Sequence, residues 1–243
     1  MAAKDVRDWW HGVRHLLAPG LCWGCNRPLE PDRDAFCADC EQRVVHDPHP
    51  TCPRCSSTVG PHVALDGGCS RCRNESFAFE RVVRLGPYEG LLRSLILRIK
   101  QQDGDGLAEA LGALFAKARS TELREPNAAA IVAVPLHWWR RLERGFNQSA
   151  MIAQGLARQL QLPCVARWLK RVRPTPKQTT LTPTERRSNV RGAFRARPRP
   201  DLSGRTVLLV DDVLTTGSTA HAASQALRAA GAARVVVAVL GHG

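Results

Sequence analysis

Eight of the nine cysteines in this 243-residue chain form four Cys-x-x-Cys pairs. The pairs are separated by 11, 11 and 13 residues, and they are Cys22/Cys25, Cys37/Cys40, Cys52/Cys55 and Cys69/Cys72. Two such pairs can present four thiolates tetrahedrally to one zinc ion. Because the segment is rich in proline and glycine and poor in apolar residues, a metal would have to stabilise it, and structural zinc contributes roughly 10–16 kcal/mol. We therefore predict a small zinc module with four-cysteine coordination over residues 20–76.

The spacing leaves the pairing of the cysteines open. Sequential pairing would make one site from the first four cysteines and a second from the last four, whereas a cross-braced arrangement would interleave them. Loss of one set would leave one structural Zn²⁺ instead of two. An iron–sulfur cluster and redox-active dithiols are alternatives to zinc, while disulfides are not expected in a reducing cytoplasm. The ninth cysteine, Cys164, has apolar neighbours, and we predict a buried structural thiol there.

From residue 77 onward, short apolar segments alternate with segments of helical periodicity. We predict strands at 81–86, 131–135, 164–172, 206–210 and 234–240, and helices at 91–100, 107–119, 147–160 and 218–231. Continuous apolar strands are typical of a parallel sheet with helices on both faces. Residues 174–192 contain three prolines and no apolar periodicity, which predicts a long mobile loop. The fold class is therefore α/β, with a parallel-sheet domain over residues 77–243.

The N-terminal segment has helical apolar spacing that includes Trp9, Trp10 and Val13. We predict an amphipathic helix over residues 1–19 that packs on its own domain, and contact with a membrane surface is the alternative. No apolar signal region follows the N-terminus, and no run of about 18 apolar residues is present. The sequence therefore predicts a cytoplasmic protein, with membrane association as the alternative.

The formal net charge of +13 is concentrated in one stretch. Residues 138–200 contain 15 Lys and Arg but only two acids, Glu143 and Glu185, and the rest of the chain balances. This clustering favours a dedicated surface for a polyanion over a generally solubilising surface.

Aromatic residues are interleaved with these cations. They are Trp138, Trp139, Phe146, Trp168 and Phe194. Bases of single-stranded DNA stack on aromatic side chains while cations neutralise the backbone, so the stretch is a candidate DNA-binding surface. The alternative is that the aromatics belong to the core.

The strand at 206–210 runs into two carboxylates, Asp211 and Asp212, and then into a loop of hydroxyls with one glycine. The loop residues are Thr215, Thr216, Gly217, Ser218 and Thr219. Ligands of open parallel sheets bind beyond the carboxyl ends of the strands. Hydroxyls and N–H groups at a helix start can hold a phosphate, whereas paired acids suit neutral hydroxyls. The lack of a GK[ST] sequence excludes a Walker A loop, and the pattern predicts a ribose 5-phosphate site.

The segment VLLVDDVLTTGST resembles the phosphoribosyl pyrophosphate (PRPP) signature of type I phosphoribosyltransferases. Four Cys-x-x-Cys pairs, then LRIK, VAVPLHWWRRLERGFNQ, TPKQTTLTPTERRSNVRGAF and the PRPP loop are together similar to the ComF (GntX-like) competence-protein family over nearly the whole chain. The resemblance implies a type I phosphoribosyltransferase-like domain that binds PRPP with Mg²⁺. Asp211 and Asp212 would then hold the ribose hydroxyls, and residues 215–219 would hold the 5-phosphate.

The same resemblance assigns further residues. It implies that the loop 136–146 contacts pyrophosphate, for which Arg140, Arg141 and Arg144 are suited, and that Lys100 belongs to the hood over the site. The loop 174–192 corresponds to the flexible loop that closes over PRPP. Trp138 and Trp139 stand where more polar residues are expected. Candidates for the flexible loop and for DNA contacts are Lys177, Arg186, Arg187, Arg191, Trp138 and Trp139.

Three hypotheses for function remain open. Members of the family are linked to natural transformation, so the favoured one is a PRPP-binding competence protein that handles single-stranded DNA, with DNA-uptake or recombination proteins as partners. The second is an active phosphoribosyltransferase, for which the sequence identifies no acceptor-binding residues. The third is a non-catalytic, PRPP-dependent regulator whose zinc knuckles dock a partner.

Overall fold

The computed structural model describes residues 20–136, 142, 144–173, 190–198 and 201–243. The helix predicted at 1–19 lies outside these residues, and so does most of the loop predicted at 174–192.

A parallel sheet forms the centre of the protein. The strands, in chain order, are β1 (Arg81–Pro87), β2 (Ala130–Ala133), β3 (Lys170–Arg171), β4 (Phe194–Arg195), β5 (Thr206–Leu214) and β6 (Arg234–His242). The spatial order β1-β6-β5-β2 makes the four-stranded parallel sheet, and β3 and β4 pair as a separate antiparallel ribbon. The predicted parallel sheet is confirmed.

The sheet is buried on both faces. On β5, Leu208 and Val210 join one apolar cluster, while Val207 and Leu209 join another. Because side chains alternate along a strand, a strand covered on both sides must be apolar at every position. This explains the continuous apolar runs in the sequence.

Helices cover both faces of the sheet, as predicted. They are α1 (Ala38–Val45), α2 (Gly90–Arg98), α3 (Asp105–Ala118), α4 (Ser120–Arg124), α5 (Gln148–Leu160) and α6 (Ser218–Ala229). Residues of α2, α3 and α5 pack in the cluster with Leu208, and residues of α6 pack in the opposite one. At Gly112 and Gly155 a Cβ would overlap backbone of the facing helix, so these glycines let α3 and α5 approach closely. Within the described part of the chain, no helix is long and apolar enough to cross a membrane.

The cysteine segment contains two similar knuckles. The amide of Cys22, like that of Cys52, donates to the carbonyl five residues later. The left-handed turn residues are Asn26 and Ser56, with φ of 61° and 59°. The first knuckle belongs to the main core, because Cys22 joins the cluster of α2 and α3. The boundary at residue 76 stays a prediction.

Several local predictions are wrong. A 3-10 turn at Ala166–Trp168 and the short β3 replace the single strand predicted at 164–172. Cys164 is exposed instead of buried, since it lies beyond the edge strand β2 and only bridges Ile131. Strand β5 continues to Leu214, so the two acids lie within the strand and not after it. The short helices α1 and α4 were not predicted.

Candidate functional site

Asp211 and Asp212 lie on β5 and face the start of α5. Asp211 Oδ1 accepts hydrogen bonds from Ser149 Oγ at 3.0 Å and from the Asp212 amide at 2.9 Å. Asp212 Oδ2 accepts a hydrogen bond from Gln148 Nε2 at 3.3 Å and lies 3.2 Å from Lys100 Nζ. The acid pair is therefore held by polar and cationic groups from two other segments.

The start of α5 positions two of these partners. Asn147 caps the helix, since its Oδ1 accepts from the Ser149 amide at 3.1 Å and its Nδ2 donates to the Val134 carbonyl at 3.1 Å. This ties the helix start to the end of β2. Gln148 and Ser149 are both buried. Arg144 donates to Gln148 Oε1 at 3.1 Å and so joins the same network.

The carboxyl group of Asp211 titrates near neutral pH. Burial raises its pKa and the negative charge of Asp212 raises it further, to about 7, against the opposing effects of the Asp212 amide, Ser149 and Lys100. The protonated carboxyl can donate a hydrogen bond to a ligand hydroxyl, and the carboxylate can accept one from it. The pair suits a neutral diol better than a phosphate.

After β5, the chain turns through the hydroxyl-rich loop into α6. Gly217 caps α6 with a left-handed φ of 73°. A Cβ at this position would also lie 3.1 Å from the Phe77 ring, so the backbone conformation favours glycine and the close contact adds to that preference. Thr216 Oγ1 and Ser218 Oγ are hydrogen-bonded at 2.8 Å. The loop combines hydroxyls with N–H groups at a helix start, which is an arrangement that can hold a phosphate.

A cavity of about 420 Å³ lies beside this loop. Its volume is within the range of about 300–1,000 Å³ found for small-molecule sites. Leu214, Thr215 and Thr216 line one side, and Arg71 and Phe77 from the cysteine segment line the other. The loop is thus partly enclosed by a distant part of the chain.

The cysteines form two groups with sequential pairing. One contains Cys22, Cys25, Cys37 and Cys40, and the other contains Cys52, Cys55, Cys69 and Cys72. Within each group the sulfur atoms lie within 4.8 Å of one another, and the Cys25–Cys37 and Cys55–Cys69 sulfur distances are 3.8 and 3.5 Å. Zinc–sulfur bonds of about 2.3 Å in a tetrahedron give a sulfur–sulfur distance of about 3.8 Å. The cross-braced arrangement is therefore wrong, and both groups fit structural zinc.

Donors around the first group favour the thiolate form that binds metal. Arg27 Nε donates to Cys25 Sγ at 3.4 Å, and this hydrogen bond lowers the pKa of the thiol to about 6. The amides of Gly24 and Cys37 donate to Cys22 Sγ at 3.4 and 3.3 Å. Since the thiolate is the ligand, these contacts assist metal binding at neutral pH.

Comparison with known proteins identifies the family. Residues 147–242 match the phosphoribosyl transferase domain. The DNA utilization protein YhgH of Salmonella typhi is 36% identical over 227 residues, which cover 91% of this chain and 96% of that protein. Competence protein F of Haemophilus influenzae is 32% identical over 222 residues, or 89% and 94% of the two chains. The chain belongs to the ComF competence-protein family. A further relative, Competence protein ComFC of Bacillus subtilis, is 27% identical over 220 residues, covering 89% of this chain and 87% of that protein.

The domain match and the parallel sheet together give this ComF-family chain a type I phosphoribosyltransferase-like fold. Four of the predicted site residues meet in one network, namely Lys100, Arg144, Asp211 and Asp212. The loop 215–219 comes directly after β5, the strand that carries the two acids. Arg191 lies apart from this network on the ribbon near β4, where its carbonyl accepts a hydrogen bond from Arg173 at 2.7 Å. The remaining candidates lie outside the described residues: Trp138, Trp139, Arg140, Arg141, Lys177, Arg186 and Arg187.

Two aromatics considered for DNA stacking are core residues of this ComF-family chain. Trp168 and Phe194 are only 4% and 7% exposed, and both pack in the cluster of α6. The prediction that DNA bases stack on these two side chains is therefore wrong. Phe146 is half-buried.

Sequence reasoning missed Gln148 and Ser149, which contact the acid pair directly. The signal in the sequence was Asn147, a good helix cap that follows the strand at 131–135 and a connecting loop. It indicates that the first turn of α5 begins at the ligand-binding end of the sheet, where polar side chains can meet the acids.

Proposed function

We propose that this ComF-family chain binds PRPP with Mg²⁺ and that this site serves a competence protein which handles single-stranded DNA. The observation that carries the proposal is the acid pair, Asp211 and Asp212, on the same strand end as the hydroxyl loop 215–219. The carboxylates would accept hydrogen bonds from the ribose 2- and 3-hydroxyls, and the loop would hold the 5-phosphate. The phosphoribosyl transferase domain match spans both elements and supports this assignment.

The pyrophosphate of PRPP would lie on the side of Lys100 and Arg144. Lys100 contacts Asp212 directly, and Arg144 connects to it through Gln148, so both cations lie beside the acid pair. Carboxylate oxygens are suitable ligands for Mg²⁺, and Asp211 and Asp212 would help to hold the ion, which neutralises pyrophosphate charge when bound. Arg140 and Arg141 are proposed for the same anion.

We also propose one structural Zn²⁺ in each four-cysteine group. The support is the four sulfurs within 4.8 Å in each group and the donors around Cys22 and Cys25. These ions would stabilise a segment that is poor in apolar residues.

Single-stranded DNA would bind the basic ribbon, which we define as residues 167–173 and 190–198. Its exposed cations are Arg167, Lys170, Arg173, Arg191, Arg195 and Arg197, and these two segments contain no Asp or Glu. Such a single-sign surface attracts a polyanion and makes its binding dependent on salt. The names of the relatives, a DNA utilization protein and a competence protein, support a DNA-related role. DNA-uptake or recombination proteins are the proposed partners.

Transfer of the phosphoribosyl group is a second candidate function, favoured by the domain match over residues 147–242. An acceptor nitrogen would bond to the anomeric carbon while the carbon–oxygen bond to pyrophosphate breaks, and pyrophosphate would leave with that electron pair. Positioning by the acid pair and by the cations would supply most of the catalysis. Pyrophosphate release with a panel of bases and amines tests this candidate. PRPP binding without release would favour the non-catalytic regulator.

Fluorescence anisotropy of labelled single-stranded DNA, measured at several salt concentrations with and without Mg²⁺-PRPP, tests the DNA-handling role. We expect binding whose log–log salt dependence has a slope near −0.7 per phosphate neutralised, and an affinity that PRPP changes. DNA binding that is absent at low salt, or independent of salt, would contradict the role.

A further inference from the structure

The second four-cysteine group faces the hydroxyl loop, residues 215–219, across the 420 Å³ cavity. Phe77, which follows the last cysteine knuckle, packs close to Gly217 of the loop. The next residue, Ala78, donates its amide hydrogen to Nδ1 of His221 in the first turn of α6 at 3.0 Å. The cysteine segment is therefore joined directly to the loop and to the helix that follows it.

Further contacts fix this segment on its other side. The Arg54 guanidinium donates to the carbonyls of Cys72 at 2.7 Å and of Glu75 at 2.5 Å. It also lies 5.8 Å from the ring centroid of Phe77. Residues 72–77 are thus bonded to Arg54, which lies in the first knuckle of the same group. Metal bound by the group would hold both parts in place.

Arg71 stands between Cys69 and Cys72 and lines the cavity together with Thr215 and Thr216. Among the described residues that line the cavity, it is the only one with a permanent positive charge, and Glu75 is the acidic side chain there. Burial, with the charges of Arg71 and Arg84, lowers the pKa of His242 in the same wall to about 4. His242 is therefore neutral at pH 7, and Arg71 supplies the positive charge of this wall.

The loop itself contains no cation between residues 214 and 219. A phosphate monoester carries nearly two negative charges at pH 7, and an arginine guanidinium forms strong, charge-assisted hydrogen bonds to phosphate oxygens. We infer that Arg71, carried by the second four-cysteine group, binds the 5-phosphate of PRPP from the side opposite the hydroxyl loop. The inference rests on the proposed PRPP function and makes the second cysteine group part of the ligand site.

Calorimetric titration of the full chain with ribose 5-phosphate tests this inference, because that ligand has the phosphate but no pyrophosphate. We expect Arg71→Ala to weaken binding about tenfold and Arg71→Lys to weaken it less, since lysine keeps the charge but loses the bidentate geometry. Arg73→Ala is the matched control. Arg73 lies on the same knuckle, is exposed, and donates only to the Ala64 carbonyl at 3.3 Å among its described hydrogen bonds. Zinc content and melting temperature verify that each variant is folded.

The outcomes separate the inference from the function on which it rests. A loss of affinity with Arg71→Ala but not with Arg73→Ala supports a direct contact. Equal affinities of wild type, Arg71→Ala and Arg73→Ala overturn the inference and leave the PRPP site intact. Equal losses in both variants also overturn it, because they would reflect only the net charge of the module. If the wild type binds neither ribose 5-phosphate nor Mg²⁺-PRPP, the proposed function itself is wrong.

Discussion

Lys100 Nζ lies 3.2 Å from Oδ2 of Asp212, and this ion pair joins the turn after α2 to strand β5. The side chain of Lys100 is 30% exposed, whereas that of Asp212 is 13% exposed. The cation is therefore placed between the acid pair and solvent, where an incoming anion can reach it.

Lys100→Ala should weaken Mg²⁺-PRPP binding about tenfold, because the variant cannot form a charge-assisted hydrogen bond to pyrophosphate. Ribose 5-phosphate has no pyrophosphate, so its affinity should change by less than about twofold. Titration calorimetry with both ligands measures the difference. Lys117→Ala is the control, since Lys117 pairs with Glu41 at 3.3 Å outside the network. Equal reductions in affinity for the two ligands would contradict a contact between Lys100 and pyrophosphate.

Because of Asp211, the free energy of unfolding should fall as the pH rises. Its pKa is about 7 in the folded chain and near 3.9 in an unfolded chain. Between these values the folded state binds more protons, so the free energy of unfolding falls with increasing pH. Asp211→Asn removes this effect, and we expect the variant to gain roughly 1–2 kcal/mol relative to wild type between pH 5 and pH 8.

Thermal denaturation at the two pH values measures that gain. The exposed Asp201→Asn controls for the removal of one acid. A difference between Asp211→Asn and wild type that stays constant from pH 5 to pH 8 would show that Asp211 does not titrate in this interval.

Two Zn²⁺ ions per chain are expected from the two four-cysteine groups. Cys25→Ser and Cys55→Ser should each lower the zinc content to one, because each removes a ligand from a different group. Cys164→Ser should leave two, since Cys164 is exposed and belongs to neither group. Elemental analysis of the purified protein gives the count. A single variant that keeps two ions, or that loses both, would contradict one independent zinc site in each group.

The basic ribbon should determine the salt dependence of DNA binding. Replacing Lys170 and Arg195 together by serine should reduce the log–log slope by about 1.4, or about 0.7 for each phosphate that is no longer neutralised. Anisotropy at several salt concentrations gives the slope. The control replaces Arg205 and Arg228, which are exposed but lie outside the ribbon. An equal effect of the two double variants would assign DNA binding to net charge instead of to the ribbon.

The strands and helices of the sheet domain were predictable because their periodicity is local. Apolar runs such as 206–210 are required at any strand buried on both faces, and Asp211 and Asp212 interrupt that pattern visibly. The partners of the acids were not predictable. Gln148 and Lys100 approach them only because α2 and α5 pack on one face of the sheet.

Two other outcomes depended on distant parts of the chain. Similar spacing between the Cys-x-x-Cys pairs allowed both pairings, and the structure shows the sequential one. Trp168 lies in the basic stretch next to Arg167, yet β4 and α6, which come later in the chain, bury it. Cys164 has apolar neighbours, yet its position beyond the edge strand exposes it. Predictions of burial from local composition were therefore wrong where burial depends on later segments of the chain or on the edge of the sheet.

The most direct test of the PRPP site is calorimetric titration of the full chain with Mg²⁺-PRPP, comparing wild type with Asp212→Asn and with the exposed control Asp201→Asn. We expect saturable binding by the wild type and by the control, and at least about tenfold weaker binding by Asp212→Asn, because the carboxylate that accepts from a ribose hydroxyl becomes a neutral amide. A wild type that does not bind, or an Asp212→Asn variant that binds as tightly as wild type, would contradict the assignment of the acid pair to PRPP.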